Sequence, residues 1–374
     1  MFIVLPLKKL LKIVFAGLLS ILLMGLVIYE VTNITPPEIA VSNEIDEEIA
    51  QEIKNLLDTR DKALLENDVE NIKSLYNIKS KYGMWAFLHE EKKAKYLSNW
   101  SEKQGVRFTS IKSDIVIRSL KDKGEKYTAS VLKSTEYKYM YENDADNVNM
   151  FRIGTSHLID IIKYGNAWLI TREWYTDPFA DSLNLDNIKT DEIKNYILSK
   201  GPRDFSGLNA RRIAAVKYAD KYCGSAGTKE NGFKYNNKYR NYNSLGGDCA
   251  NFASQILFEG GKFRKTREWN YDKDGSRAWV NAQAFKNFWL WSGRASLIAS
   301  GRYEKVVKAS YKLLPGDFVA YEKKGDIVHI SVVTGADSKG YSLVNCHNID
   351  RYRVPWDLGW SDKGIKFWLV RVHF

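Results

Sequence analysis

Between Gly246 and Gly261 the chain reads GGDCANFASQILFEGG, and that stretch leaves little freedom in what it can build. The glycine pair at its start permits a tight turn and close backbone approach. Asp248 suits a helix N-cap. The residues after it predict a short helix that buries Phe252, Ile256 and Leu257 and stops at Gly260-Gly261. Cys249 then falls in the first turn of that helix.

A second constrained region follows. Pro315-Gly316-Asp317 marks a turn before a strand from Phe318 to Tyr321, and Asp326 to Thr334 has a strong strand pattern. Alternation puts His329 on one face with Ile327 and Ser331, and Val328, Ile330 and Val332 on the other. The next strand, Tyr341 to His347, carries Tyr341, Leu343, Asn345 and His347 on one face, with Cys346 opposite as a structural thiol.

These residue types point to nucleophilic chemistry. A thiol at a helix N-terminus is expected to fall below its usual pKa of ~8.5, and a nearby histidine lowers it further. Cys249 is therefore the candidate nucleophile and His329 the candidate base. Either His347 or Asn345 is placed to fix the His329 tautomer, with Asp350 a weaker alternative. Backbone N–H groups of the first helical turn supply part of an oxyanion site, and Asn241 or Asn243 an upstream donor. Asp248, Asn251, Trp269 and Trp279 are the candidate substrate-binding residues, although Asp248 reads first as a cap. Cys249, His329 and His347 lack the spacing of a zinc motif, so neither metal nor cofactor is expected.

The GGDCANFASQILFEGG stretch resembles the signature of the bacterial putative amidase domain, Gly-Asp-Cys-Thr-Asn-Phe-x-Ser-Gln followed by Gly-Gly. Ala250 departs from the common Thr. NARRIAAVKYADKY at Asn209–Tyr222 is similar to the opening helix of that family, and Trp269-Asn270-Tyr271 with Ser276-Arg277-Ala278-Trp279 to its aromatic stretch. PGDFVAY, DIVHISVVTG and CHNIDRY follow in the same order, so the likeness spans about Leu208 to His373. The family is related to the CHAP and NlpC-type papain-like peptidases. That relation implies a Cys249–His329 dyad in a papain-like α+β fold. It implies Asn345 as third residue by the CHAP pattern and His347 by the NlpC-type pattern, with His347 preferred.

The other end of the chain constrains location. Lys8, Lys9 and Lys12 precede an uncharged run from Ile13 to Tyr29, which as a helix would reach about 26 Å, near the lower limit for a bilayer span. Flanking lysines predict a cytoplasmic N-terminus with the remainder exported. Neither a small-x-small cleavage site nor a lipobox cysteine is evident, so an uncleaved anchor is expected. The 56 Lys and Arg against 45 acidic residues, net +11, suit an anionic partner, but no nucleic-acid-binding signature accompanies them.

The expected organisation is α+β throughout. Residues 1–31 form a cytoplasmic tail and membrane helix, and 32–43 a linker with Pro36 and Pro37. Residues 44–176 form a cystatin-like cone α+β module. In it, helices over Glu44–Glu66, Val69–Tyr76 and about His89–Lys103 precede strands near Val106–Phe108, Ser113–Ser119, Lys126–Tyr139, Asn149–Tyr164 and Ala167–Trp174. His89 and His157 read as surface or packing histidines, and the partner of this module is not legible. Residues 177–207 connect it to a papain-like domain at 208–374. The expected function is that of an exported cysteine amidase or peptidase on cell-wall peptidoglycan. A silent papain-like binding module in an envelope assembly and an amine acyltransferase are the alternatives.

Overall fold

The computed structural model describes residues 46–179, 190–360 and 364–374. The expected membrane helix and linker lie outside the described residues. Among the described residues no helix is long and apolar enough to cross a membrane.

Helix α1 (Glu47–Glu66) starts where the Asp46 carboxylate accepts from the Ile49 N–H and ends at Asn67 in the left-handed region (φ 54°). Its Ile49, Ile53, Leu57 and Leu64 are buried, at the four- and seven-residue spacings that put them on one face. Helix α2 (Val69–Ser74) follows, then α3 (Lys81–Gln104), which begins eight residues before the expected His89. The difference is a cap: Ser80 Oγ accepts from the Gly83 N–H at 3.0 Å, and the first turn keeps Tyr82 and Trp85 exposed, so no apolar periodicity announces it.

An antiparallel meander comes next: β1 (Val106–Asp122), β2 (Tyr127–Tyr141), β3 (Asp144–Tyr164) and β4 (Ala167–Trp174). The two strands expected over Val106–Ser119 are one long strand, bent at register shifts near Phe108 and Ile117. Helix α4 (Thr190–Leu198) closes this half.

The remaining α-helices are α5 (Ala210–Lys221), α6 (Cys249–Gln255), which continues as a π turn over Ile256–Gly260 and so ends at the expected glycine pair, α7 (Arg277–Val280), α8 (Ala282–Trp291) and, after β5 (Ala295–Gly301), α9 (Tyr303–Ser310). Five strands complete the chain: β6 (Phe318–Lys323), β7 (Asp326–Ala336), β8 (Ser342–Cys346), β9 (Asp350–Pro355) and β10 (Ile365–Val372). All pair into one ten-stranded antiparallel sheet in the order β1-β2-β3-β9-β8-β7-β6-β10-β5, with β4 on β3.

The join between the halves is therefore a strand pairing, β3 against β9 at Arg152↔Tyr352, Ile153↔Arg351 and Gly154↔Asp350. Buried polar contacts reinforce it. Tyr139 and Tyr141 donate to the Asp337 carboxylate at 2.9 and 2.6 Å, and Lys103 pairs with Asp357. Removing one member of such a buried pair leaves a desolvated group unpaired, at a cost of about 3–5 kcal/mol.

The sheet has two covered faces. Ile330, Val332, Phe318 and Ala320 pack in one cluster with Phe252, Ile256 and Phe285. Val319, Tyr321, Val333 and Val344 pack in the other with Trp356 and the core of the first half. Ile327 belongs with Ile330 and Val332, not with His329 as strict alternation expects. The register explains it: Tyr321 pairs His329 but Glu322 pairs Ile327, so Val328 is an extra, bulged residue and is 45% exposed.

Candidate active site

The turn into α6 is built from glycine geometry. Gly246 and Gly247 have φ of 107° and 132°, and the Gly247 N–H returns to the Tyr242 carbonyl at 3.0 Å. A Cβ on Gly247 would fall 2.2 Å from Asn348 Nδ2. Only glycine lets Asn348 lie against this turn, where its Oδ1 accepts from the Asp248 N–H at 2.6 Å.

Cys249 is the first residue of α6 and is 5% exposed. Backbone N–H groups of Ile330 and Ala250 donate to its sulfur, so the head of α6 meets β7 at the residue after His329. Burial nevertheless dominates and pushes the thiol up to about 12, opposite to the lowering expected from its helix position. Two N–H donors and the dipole of a helix this short do not offset the loss of water around a thiolate.

His329 is also buried, facing Tyr321 and Trp360 with ring centroids 5.4 and 5.0 Å away. Burial, and then the charge of Arg351, hold its imidazole well below the usual histidine range. Among the described residues its Nε2 has no hydrogen-bond partner. The ring lines a cavity of about 600 Å³, whose walls include Gly246, Gly247, Asn348, Arg351 and Trp360. Cys249 is not among the lining residues; Gly247 and Asn348 stand on its side of the cavity. Asn243 lines the same space. Sequence reasoning gave no role to Arg351, although it falls within the CHNIDRY segment, or to Trp360, which lies in a stretch with no local signature.

The expected orienting residues are engaged elsewhere. His347 Nδ1 meets Asp248 Oδ2 at 2.6 Å, its Nε2 meets the Tyr222 carbonyl at 2.8 Å, and its ring stacks on Phe252 at 3.7 Å. Facing an acceptor at each nitrogen, it donates from both. Burial opposes the charge, but the Asp248 carboxylate outweighs it, with Asp350 adding to the effect, and the pKa is raised. An imidazolium held this way braces the turn before Cys249 and has no free nitrogen to orient His329.

Asn345 Oδ1 accepts from Thr334 Oγ1 and the Arg353 N–H, both at 2.8 Å, while its Nδ2 donates to Asp220. Asp350 accepts from the N–H and Oγ of Ser225, each at 2.7 Å, and from Tyr235. Among the described residues none of the three hydrogen-bonds His329.

The candidate substrate residues are interior. Asp248 makes no capping bond; its Oδ1 accepts from Tyr242 N and Asn251 Nδ2 at 2.9 and 2.8 Å. Asn251 is fully buried and accepts from Trp279 Nε1 at 2.9 Å. Trp269 and Trp279 are both 0% exposed and stack on each other at 4.7 Å. They form the core behind α6, not a groove.

Comparison with known proteins bears on the second half of the chain. An uncharacterized protein of Bacillus subtilis (strain 168), YhbB, is 29% identical over 153 residues, which cover 39% of this chain and 43% of that relative. The chain thus matches less than half of the relative's length. The model of the putative amidase domain matches residues 209–370, which hold Cys249, His329, Asn345 and His347 alike. That segment, from α5 through β10, is a domain of the putative amidase domain family.

Proposed function

We propose that this protein is an exported, membrane-anchored cysteine amidase or peptidase acting on amide bonds of cell-wall peptidoglycan. Its catalytic half is read as papain-like and its first half as a cystatin-like cone module. The observation that carries the chemistry is the His329 Nε2, without a partner among the described residues, on a cavity walled by the glycine turn that leads into Cys249.

Both groups rest uncharged in this reading, a thiol above its usual range and an imidazole below it. The proton therefore moves as the bond forms. Cys249 sulfur attacks the carbonyl carbon while His329 takes the thiol proton, and the tetrahedral adduct collapses as His329 returns that proton to the leaving amine. Water then attacks the thioester, His329 accepts its proton and gives it to the sulfur, and the acid departs. The Ala250 N–H is a candidate oxyanion donor at the head of α6. Tyr321 and Trp360, not a third polar residue, hold the imidazole plane. Substrate reaches the sulfur when Asn348 lifts from Gly247. Export and anchoring rest on the lysine-flanked apolar run, and the peptidoglycan substrate on family likeness and that location.

Incubation of the full chain with purified cell wall tests the reading. New amines should appear with wild type and not with Cys249→Ala; equal release from both ends the hydrolase idea. A silent binding module is favoured by one observation, the position of Cys249 behind the cavity wall. That rival gains if a thiol-directed probe labels Cys249 no faster than the buried Cys346.

A further inference from the structure

A second cavity, of about 670 Å³, lies outside the matched domain, where the start of α3 meets the end of β4. Tyr82, Trp85 and Trp174 line it and are 57%, 56% and 68% exposed. Large rings left this open on one patch mark a surface that binds something. Tyr82 and Trp85 brace each other edge to face, with centroids 5.7 Å apart at 82°. Polar groups sit among the rings: His89, Arg172 and Thr176 are on the same walls.

Trp174 and Thr176 line both cavities, so the aromatic patch shares a wall with the space that holds His329. We propose that this patch is a binding platform for the glycan strand of the same cell-wall polymer whose amide bond enters the His329 cavity. The proposal rests on the reading of that cavity as the amide-cleaving site. Sugar rings offer apolar C–H faces that lie on aromatic rings, and hydroxyl or acetamido rims that hydrogen-bond to donors such as Arg172 and His89. A linear polymer lying over Tyr82 and Trp85 would cross Trp174 to reach the first cavity. Exposed tryptophan and tyrosine also suit a membrane interface. The shared wall favours the polymer, since a bilayer pressed on Trp174 would close the mouth beside it.

The test uses the full chain in detergent solution, with Cys249→Ala to prevent turnover. Retention on peptide-stripped cell-wall glycan is compared with and without Tyr82→Ala/Trp85→Ala, and the same proteins are mixed with anionic phospholipid vesicles. The platform predicts at least a tenfold loss of glycan retention, recovery with Trp85→Phe, and no change on vesicles. In the active protein the double variant should raise KM for cell wall about tenfold and leave kcat unchanged. Undiminished glycan retention, or a loss confined to vesicles, overturns the proposal. Because retention needs no cleavage, ring-dependent retention with no amine release would sink only the hydrolase reading. Amine release at unchanged KM would sink only the platform.

Discussion

Two motif histidines on neighbouring strands meet opposite surroundings. The His347 end of β8 is saturated: each nitrogen has an acceptor, and Phe252 covers the ring. The His329 end of β7 is unsatisfied: among the described residues Nε2 has no partner, a cavity lies beside it, and Arg351 opposes a positive charge. A buried polar group whose bonds are complete serves structure, whereas one without a partner needs an explanation, and a catalytic role is one that fits a group on a cavity wall. The contrast supports the proposed division of labour, bracing by His347 and proton transfer by His329.

The sharpest way to break that assignment is to remove each in turn. His329→Ala should lower amide cleavage by 10²–10⁴-fold, the span of a general base, with the melting temperature almost unchanged. His347→Ala should do the reverse, costing about 3–5 kcal/mol in denaturant unfolding because Asp248 is left buried without its cation. Equal loss of stability in both variants would erase the distinction.

The pH dependence sharpens it. The folded pKa of His347 is raised, so its contribution is complete below the unfolded value of about 6.5 and fades as pH rises through the folded value. Denaturation midpoints from pH 5 to 9 should show that decline in wild type and lose it in His347→Gln. His329 has the opposite sign: its folded pKa is depressed, so its contribution is present above the unfolded value of about 6.5 and is lost as pH falls below it.

A smaller effect concerns the thiol. With Cys249 pushed up to about 12, its alkylation by iodoacetamide should keep climbing roughly tenfold per pH unit to pH 10. A plateau near pH 6 would mean a preformed ion pair. Smallest is the Asn348 contact: Asn348→Ala removes the bond to the Asp248 N–H and should speed that alkylation a few-fold at fixed pH.

Much of the local architecture was legible. Alternating apolar residues located β2, β3, β4 and β7, and the glycine-bracketed run located α6. The start of α3 was not, because Ser80 caps it and exposed rings fill its first turn. The expected roles of Trp269 and Trp279 were illegible for a related reason: aromatic residues read alike whether they face a groove or a core, and only the packing against Asn251 and Ser254 separates them.

By itself the sequence determined what depends on near neighbours: the turn at Gly246-Gly247, the helix from Cys249, the strand through His329. Only the tertiary structure decided which distant groups meet. One bulged residue, Val328, moves Ile327 to the face of Ile330, and strand order carries the sheet from β3 into β9. Asp248 and His347, ninety-nine positions apart, become partners. Local propensity is set over a turn or a few residues, whereas register and partnership are set by packing the whole sheet, where a shift of one residue exchanges its faces.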